Sequence, residues 1–108
     1  PIRSVDWSDG AAVVEVTGDV DLNRSPALQQ ALLELLEKNP SRIVIDLSGV
    51  GYMDSSGVAS LVKLLSRVRR KDVALSLVGL TDRVRNIFEI TRLDSVFDIH
   101  DTREEALG

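Results

Sequence analysis

The stretch Asp54–Gly57 contains the residues best suited to carry chemistry, because it stands between a glycine-flanked loop and a strongly periodic apolar helix pattern. Asp54 is the expected N-cap of that helix, with its carboxylate accepting hydrogen bonds from the backbone N–H of Ser56 or Gly57. Ser55 then takes the first helical position, at the positive end of the helix dipole, with its hydroxyl pointing outward. Such a hydroxyl suits a phosphoacceptor that a partner kinase could reach, and phosphorylation would add about −1.5 to −2 charges.

A second acidic loop is expected to lie beside this one. Asp19 and Asp21 follow the second predicted strand, and Tyr52 and Asp54 follow the third. The functional surface of a sheet rich in parallel strands lies beyond the carboxyl ends of its strands, where the two loops would meet. We also expect the apolar side chains near the helix start to offer contact area to a partner. The predicted switch and partner-binding residues around Ser55 are Asp19, Asp21, Tyr52, Met53, Asp54, Ser56, Gly57 and Val58.

The elements that must position these loops follow from periodicity and turn signals. Two extended segments flank Asp9-Gly10, a strong hairpin signal. Apolar residues at helical spacing predict helices from Ser25-Pro26, with Ser25 as the N-cap, and from Ser55 to Arg70. The remaining predicted elements are strands at Ile43–Leu47, Val73–Val78 and Val96–Ile99, a helix capped at Thr81 or Asp82, and a closing helix at Thr102–Leu107.

This order predicts an α/β fold in one domain spanning residues 1–108. An N-terminal hairpin followed by alternating helices and strands implies a mixed, mostly parallel sheet with about four helices. A length of 108 residues suits one domain. The net charge of −4 argues against nucleic acid or an anionic membrane as the main partner. With no cysteine, no membrane-spanning run and no signal peptide in the sequence, we expect a cytoplasmic location and no membrane insertion.

Catalytic and metal sites are poorly matched by these residues. Met53 stands where the nucleophile elbow of a serine hydrolase would require glycine, and His100 is the only histidine. A receiver domain would need a late lysine, but none follows Lys71. The loop acids could offer oxygen ligands to Mg²⁺, although solvated carboxylates describe them better. We therefore expect a binding protein without catalytic activity, metal or cofactor. The plainest alternative is that Asp-Ser-Ser only starts a helix.

In its overall pattern the chain resembles STAS-domain proteins of the anti-sigma-factor antagonist type. The segments that carry the resemblance, in order, are Gly18-Asp19-Val20-Asp21, Ser25-Pro26-Ala27-Leu28, Ile43–Leu47, Tyr52-Met53-Asp54-Ser55-Ser56-Gly57 and Arg85–Leu93. The resemblance implies that Ser55 is phosphorylated by a serine kinase that is itself the anti-sigma factor. It further implies that the unphosphorylated form binds this kinase and releases the sigma factor, and that a PP2C-type phosphatase restores binding. Asp21 and Asp54 match acidic positions near the family's phosphoserine.

Two departures from that family's pattern leave a second function open. The family commonly continues its motif with Leu-Gly, whereas this chain has Val58-Ala59. An alanine there is similar to the STAS subunits of ABC-type lipid transporters, which regulate a membrane transporter by docking. Arg24 stands where antagonists often carry Ser or Thr. A nucleotide-binding STAS domain is the third reading, and it lacks the support of a glycine-rich phosphate loop.

Overall fold

One sheet of five strands and four helices make up the chain, and the computed structural model that shows them describes all 108 residues. The strands are β1 (Ile2–Ser8), β2 (Ala11–Thr17), β3 (Arg42–Gly49), β4 (Ala74–Val78) and β5 (Asp98–His100). The helices are α1 (Ser25–Leu36), α2 (Ser55–Arg70), α3 (Asp82–Ile90) and α4 (Arg103–Leu107). β1 pairs antiparallel with β2, and the remaining three neighbouring pairs are all parallel. The predicted α/β fold, with its N-terminal hairpin and mostly parallel sheet, is therefore confirmed.

The hairpin turns at the two residues that predicted it. Asp9 and Gly10 both adopt positive φ angles, of 50° and 85°. Two successive positive φ angles give a tight turn whose twist matches that of the flanking strands, and the Asp-Gly pair accommodates them at low cost. The turn places β1 beside β2, and β3 pairs with the other edge of β2. The end of β2 at Thr17 leads directly into the first of the two acidic loops.

The two faces of the sheet are covered unequally. Alternate strand residues pack against α1, α2 and α3, where 23 buried residues form one apolar core. On the other face Val13, Val44 and Val78 pack with Ala106 of α4. Because strand side chains alternate between faces, β3 must be apolar at nearly every position to be buried on both. This accounts for the nearly continuous apolar run that predicted it, which only Asp46 interrupts.

The start of α1 differs from the prediction by one residue. Ser25 is the first helical residue and is buried, and Arg24 occupies the N-cap position without a side-chain cap. The physical reason lies in the preceding loop. The backbone N–H groups of Arg24 and Ser25 already donate to the carbonyl of Asp21, at 3.1 and 2.8 Å, so the free donors at the helix start are satisfied from upstream.

The last strand is also shorter than predicted. Residues 93–95 form a 3₁₀ turn, and the N–H groups of Val96 and Phe97 both donate to the carbonyl of Leu93, at 3.0 Å. These bonds draw the segment into a turn, so only Asp98–His100 pairs with β4. The bounds of α2, in contrast, are those predicted from the sequence. No helix of this chain combines the length and apolar character needed to cross a bilayer.

One ion pair fixes the C-terminal helix to the central strand. Asp46, on β3, is only 8% exposed, and its Oδ2 accepts a 2.7 Å hydrogen bond from Nε of Arg103 on α4. The other oxygen, Oδ1, accepts from the backbone N–H of Ser48 at 2.9 Å. Burial acts to raise the pKa of Asp46, but hydrogen bonds from Ser48 and Arg103 outweigh it and hold that pKa below its ordinary value. The carboxylate therefore stays charged at neutral pH and anchors α4.

Replacing this carboxylate should cost stability in a pH-dependent way. Asp46→Asn removes the charge that pairs with the Arg103 guanidinium at 2.7 Å and leaves it only the longer 3.8 Å ion pair with Glu15. We expect the free energy of unfolding at pH 7 to fall by about 1–3 kcal/mol. An acid whose pKa is lowered by folding stabilises the fold above its unfolded pKa, about 3.9, and loses that contribution as the pH falls through the folded value. The difference in unfolding free energy between wild type and variant should therefore become smaller below about pH 4. Urea denaturation of both proteins across pH 3–7 measures this difference.

The exposed pair of Lys71 and Glu37, 3.5 Å apart, supplies the control. Glu37→Gln should change the unfolding free energy by no more than about 0.5 kcal/mol anywhere in that pH range, because solvated ion pairs contribute little to stability. A loss for Asp46→Asn that stays constant down to pH 3 would show that its carboxylate is not the source of the stabilisation.

Candidate functional site

The two acidic loops pair with each other through their backbones. The N–H of Val20 donates to the carbonyl of Tyr52 at 2.9 Å, and the N–H of Asp54 returns a bond to the carbonyl of Val20 at 3.2 Å. Val20 and Met53 thus form an isolated parallel bridge just beyond β2 and β3. These strands are adjacent and parallel, so their carboxyl ends lie at the same edge of the sheet. The structure therefore places the two loops side by side, as the sequence predicted.

Asp54 joins the start of α2 to the other loop. Its Oδ1 accepts from the backbone N–H of Ser56 at 2.9 Å and of Gly57 at 3.2 Å, and also from the hydroxyl of Ser56. This is the N-cap that the sequence predicted, with the extended backbone that a cap requires. Its Oδ2 accepts from the backbone N–H of Leu22, in the first loop, at 3.0 Å. One carboxylate therefore caps a helix and holds a neighbouring loop.

The same hydrogen bonds keep Asp54 charged. The bond from the Ser56 hydroxyl, together with those from the backbone N–H groups of Gly57, Ser56 and Leu22, holds the pKa of Asp54 below its ordinary value, against a smaller effect of desolvation. The carboxylate is thus a fixed negative charge at neutral pH. It lies next to Ser55 in the chain, at the end of α2 where the helix dipole is positive.

The two serines of the motif have different surroundings. Ser55, the first residue of α2, is exposed. Ser56 is half-buried, and its hydroxyl is engaged with Asp54. An enzyme approaching from solvent therefore meets the Ser55 hydroxyl first, and the Ser56 hydroxyl already has a structural task.

Met53, Gly57 and Val58 lie inside the protein and not on its surface. Met53 is 4% exposed and Val58 is 6% exposed, and both belong to the main apolar core. Gly57 is buried as well. The expectation that Met53 and Val58 offer apolar area to a partner is therefore wrong. The bridge to Val20 turns Met53 inward, and Val58 begins the buried stripe of α2.

The carboxylate of Asp21 bonds to residues of its own loop. Its Oδ1 accepts from the backbone N–H groups of Asn23 and Arg24, at 3.1 and 3.0 Å, and its Oδ2 pairs with the Arg24 guanidinium at 2.9 Å. The charge of Asp21 is thus balanced by Arg24, which weakens its expected contribution to an acidic environment near Ser55. Asp19 is exposed. The structure assembles no group of three or more acidic or histidine side chains that could hold a metal ion.

The sequence did not predict the most exposed apolar residue of this region. Leu22 is 71% exposed, and Tyr52 on the adjacent loop is 42% exposed. The only signal in the sequence was a lone leucine between Asp21 and Asn23 in an otherwise polar segment. We refer to Asp19, Leu22, Tyr52, Asp54 and Ser55 together as the α2-start surface.

Hydroxyl groups tie this surface to its surroundings. Ser60, buried on α2, donates to the carbonyl of Ser56 at 3.1 Å and lies 3.4 Å from the carbonyl of Ser25 on α1. Thr81, at the start of α3, donates to the carbonyl of Val50 in the loop before α2, at 2.8 Å. The loop and the helix start are therefore braced from α1 and from α3.

Gly57 should be the position least tolerant of a larger side chain. A Cβ atom there would lie 2.7 Å from Cγ of Met53 and 2.8 Å from the carbonyl oxygen of Val20. Alanine normally favours a helix over glycine by about 0.5–1 kcal/mol. We nevertheless expect Gly57→Ala to lower the free energy of unfolding by about 1–3 kcal/mol, because the crowded loop cannot yield without breaking its pairing. Thermal or urea denaturation measures the change.

Gly51, in the same loop, is the matched control. A Cβ atom at Gly51 would meet nothing within 4 Å. Gly51→Ala should therefore be neutral or slightly stabilising, since it only reduces the freedom of the unfolded chain. Equal losses of stability in the two variants would contradict the close approach of Met53 and Val20 to Gly57.

Comparison with known proteins agrees with this architecture. A family model described as the STAS domain matches residues 4–106. An anti-sigma-B factor antagonist of Listeria monocytogenes is 34% identical over 93 residues, covering 86% of this chain and 82% of that protein. The crystal structure of an anti-sigma factor antagonist from Mycobacterium paratuberculosis superposes with a TM-score of 0.90 at 31% identity, covering 99% of this chain and 92% of that one.

A crystal structure from Thermotoga maritima shares the fold with a TM-score of 0.91, at 21% identity, over 96% of this chain and 90% of that one. The family model leaves out only three residues at one end and two at the other. With two relatives above 30% identity over most of both chains, the fold and the sequence lead to the same family. This chain belongs to the STAS domain family.

Proposed function

We propose that this chain is an anti-sigma-factor antagonist whose α2-start surface binds a serine-kinase anti-sigma factor and so releases the sigma factor. Phosphorylation of Ser55 by that kinase ends the binding, and a PP2C-type phosphatase restores it. The relatives above 30% identity are named as antagonists of anti-sigma factors, which supports this role. The chain acts by binding and as a substrate, not as a catalyst. Its site of action is cytoplasmic, where sigma factors serve transcription.

The observation that carries the proposal is the position of Ser55. Its side chain is exposed at the first position of α2, next to a carboxylate held charged by four hydrogen bonds. A kinase and a phosphatase both need such access. Ser56, with its hydroxyl engaged by Asp54, is a poorer acceptor.

A phosphate at Ser55 would change binding through charge and bulk. Two unit charges about 4 Å apart interact by roughly 4 kcal/mol at an effective dielectric near 20. A third of that energy acting against a docked partner corresponds to about a tenfold loss of affinity. The phosphate would also have to be taken out of water at the contact, beside the charge of Asp54, which adds to the cost. The switch therefore needs no change of fold.

The transporter alternative suggested by Ala59 differs in partner and not in fold. Ala59 is exposed on α2, one turn after Ser55, so a docked transporter would meet the same surface. The antagonist names of the more similar relatives favour an anti-sigma factor as the partner. A kinase-like anti-sigma gene beside the gene for this chain would support that choice, and a permease with an ATPase would support the other.

Phosphate transfer should depend on Ser55 alone. Incubation with the purified serine-kinase anti-sigma factor of the same genome and ATP should add one phosphate, which mass spectrometry locates on Ser55. Ser55→Ala should remain unmodified, because the accessible hydroxyl is gone. Ser56→Ala, the matched control, should still be modified at Ser55. A phosphate found on Ser56, or none on the wild type, would refute the assignment.

Partner binding should respond to charge at position 55 and not to loss of the hydroxyl. Ser55→Ala should keep its affinity for the kinase, and Ser55→Asp should bind about tenfold or more weakly. Isothermal titration calorimetry measures both, and thermal unfolding checks that neither variant alters the fold. If Ser55→Ala also loses binding, Ser55 is first of all a contact residue. If Ser55→Asp binds like the wild type, the proposed switch is wrong.

A further inference from the structure

Leu22 is an apolar side chain presented to solvent by a fixed backbone. It is 71% exposed, and only Ile90, at the end of α3, is more exposed among the large hydrophobic residues. A single exposed leucine on a protein surface needs no special explanation. What distinguishes Leu22 is the number of polar contacts that hold the backbone around it in place.

These contacts fix the loop on both sides of Leu22. Its own N–H donates to Oδ2 of Asp54 at 3.0 Å. The next two N–H groups, of Asn23 and Arg24, donate to Oδ1 of Asp21, whose Oδ2 pairs with the Arg24 guanidinium. Three successive N–H groups are thus bonded to carboxylates. A side chain carried on an ordered backbone loses less conformational entropy on binding, which favours it as a contact residue.

Leu22 is also coupled directly to the phosphorylation site. The carboxylate that accepts its N–H is the one that caps α2 immediately before Ser55. On the adjacent loop before α2, Tyr52 is 42% exposed. Its carbonyl accepts a hydrogen bond from the backbone N–H of Val20, two residues before Leu22. Since Met53 and Val58 are buried, Leu22 and Tyr52 are the large apolar side chains left to the α2-start surface.

We infer that Leu22 is the apolar anchor of partner binding: it inserts into an apolar pocket of the anti-sigma kinase, beside the site where that kinase receives Ser55. This inference rests on the proposed function and names the chemistry of its partner surface. A phosphate on Ser55 would then lie at the margin of a water-excluding contact, where a charge is costly. Apolar anchors that fill a partner pocket commonly dominate binding energy, and the contacts around them mainly exclude water.

Substitutions at Leu22 test the inference against the purified serine-kinase anti-sigma factor of the same genome, with Ile90→Ala as the matched control. Leu22→Ala should weaken binding of the unphosphorylated chain by about 10- to 30-fold in titration calorimetry. Leu22→Met, which keeps apolar volume, should stay within about threefold of wild type. Ile90→Ala, at a residue 72% exposed and outside the α2-start surface, should bind like wild type.

Two further readouts separate an anchor from a merely structural residue. The unfolding temperature of Leu22→Ala should equal that of wild type, because the N–H that bonds to Asp54 belongs to the backbone and is kept. In Ser55 phosphorylation, Leu22→Ala should raise KM and leave kcat nearly unchanged, since the chemistry of the hydroxyl is untouched. A lowered unfolding temperature together with weak binding in both Leu22→Ala and Leu22→Met would overturn the inference.

The outcomes also distinguish the inference from the function it rests on. If Ser55→Asp weakens binding while Leu22→Ala binds like wild type, the anchor assignment is wrong and the proposed function stands. If Ile90→Ala weakens binding as much as Leu22→Ala, the contact is not localised at this surface and the inference fails. If the unmodified wild type does not bind the kinase, the proposed function and the inference fail together.

Discussion

The candidate site depends on one carboxylate that has two tasks. Oδ1 of Asp54 satisfies backbone donors at the start of α2, and Oδ2 holds the loop that carries Leu22. A helix start leaves N–H groups without partners inside the helix, so a cap is needed wherever α2 begins. Using the second oxygen across the loops ties both of them to one side chain, in addition to the backbone bridge between Val20 and Met53. The exposed serine beside it is thereby fixed in place without being covered.

The local parts of this arrangement were predictable from the sequence because their causes are local. Asp54 precedes two small hydroxyl residues and an apolar stripe, and these features predicted both the cap and the bounds of α2. The Asp9-Gly10 turn likewise follows from the φ angles that those residues tolerate. The approach of the two loops required one further step, the rule that parallel neighbours end at the same edge of a sheet.

The parts that could not be predicted involve contacts between residues distant in the sequence, or whether a given side chain of a helix or loop faces the core or the solvent. Asp46 and Arg103 are 57 positions apart, and nothing in either segment indicates that they pair. Periodicity placed Val58 on the apolar stripe of α2, but it did not show that the stripe is already buried in the first turn. The exposure of Leu22 could not be predicted either, because it depends on where the distant Asp54 holds the loop that carries Leu22.

The order of the sheet has a consequence for how the molecule assembles. Every strand lies beside its immediate predecessor in the chain, so each new pairing closes only one hairpin or one crossover. Contacts between segments close in sequence carry a low loop-closure cost and speed folding. The paired loops beyond β2 and β3 open the first and the second crossover, and they need nothing from β5 or α4 to meet. The α2-start surface is thus encoded in the first half of the polypeptide together with one following helix, and the later segments serve to brace it.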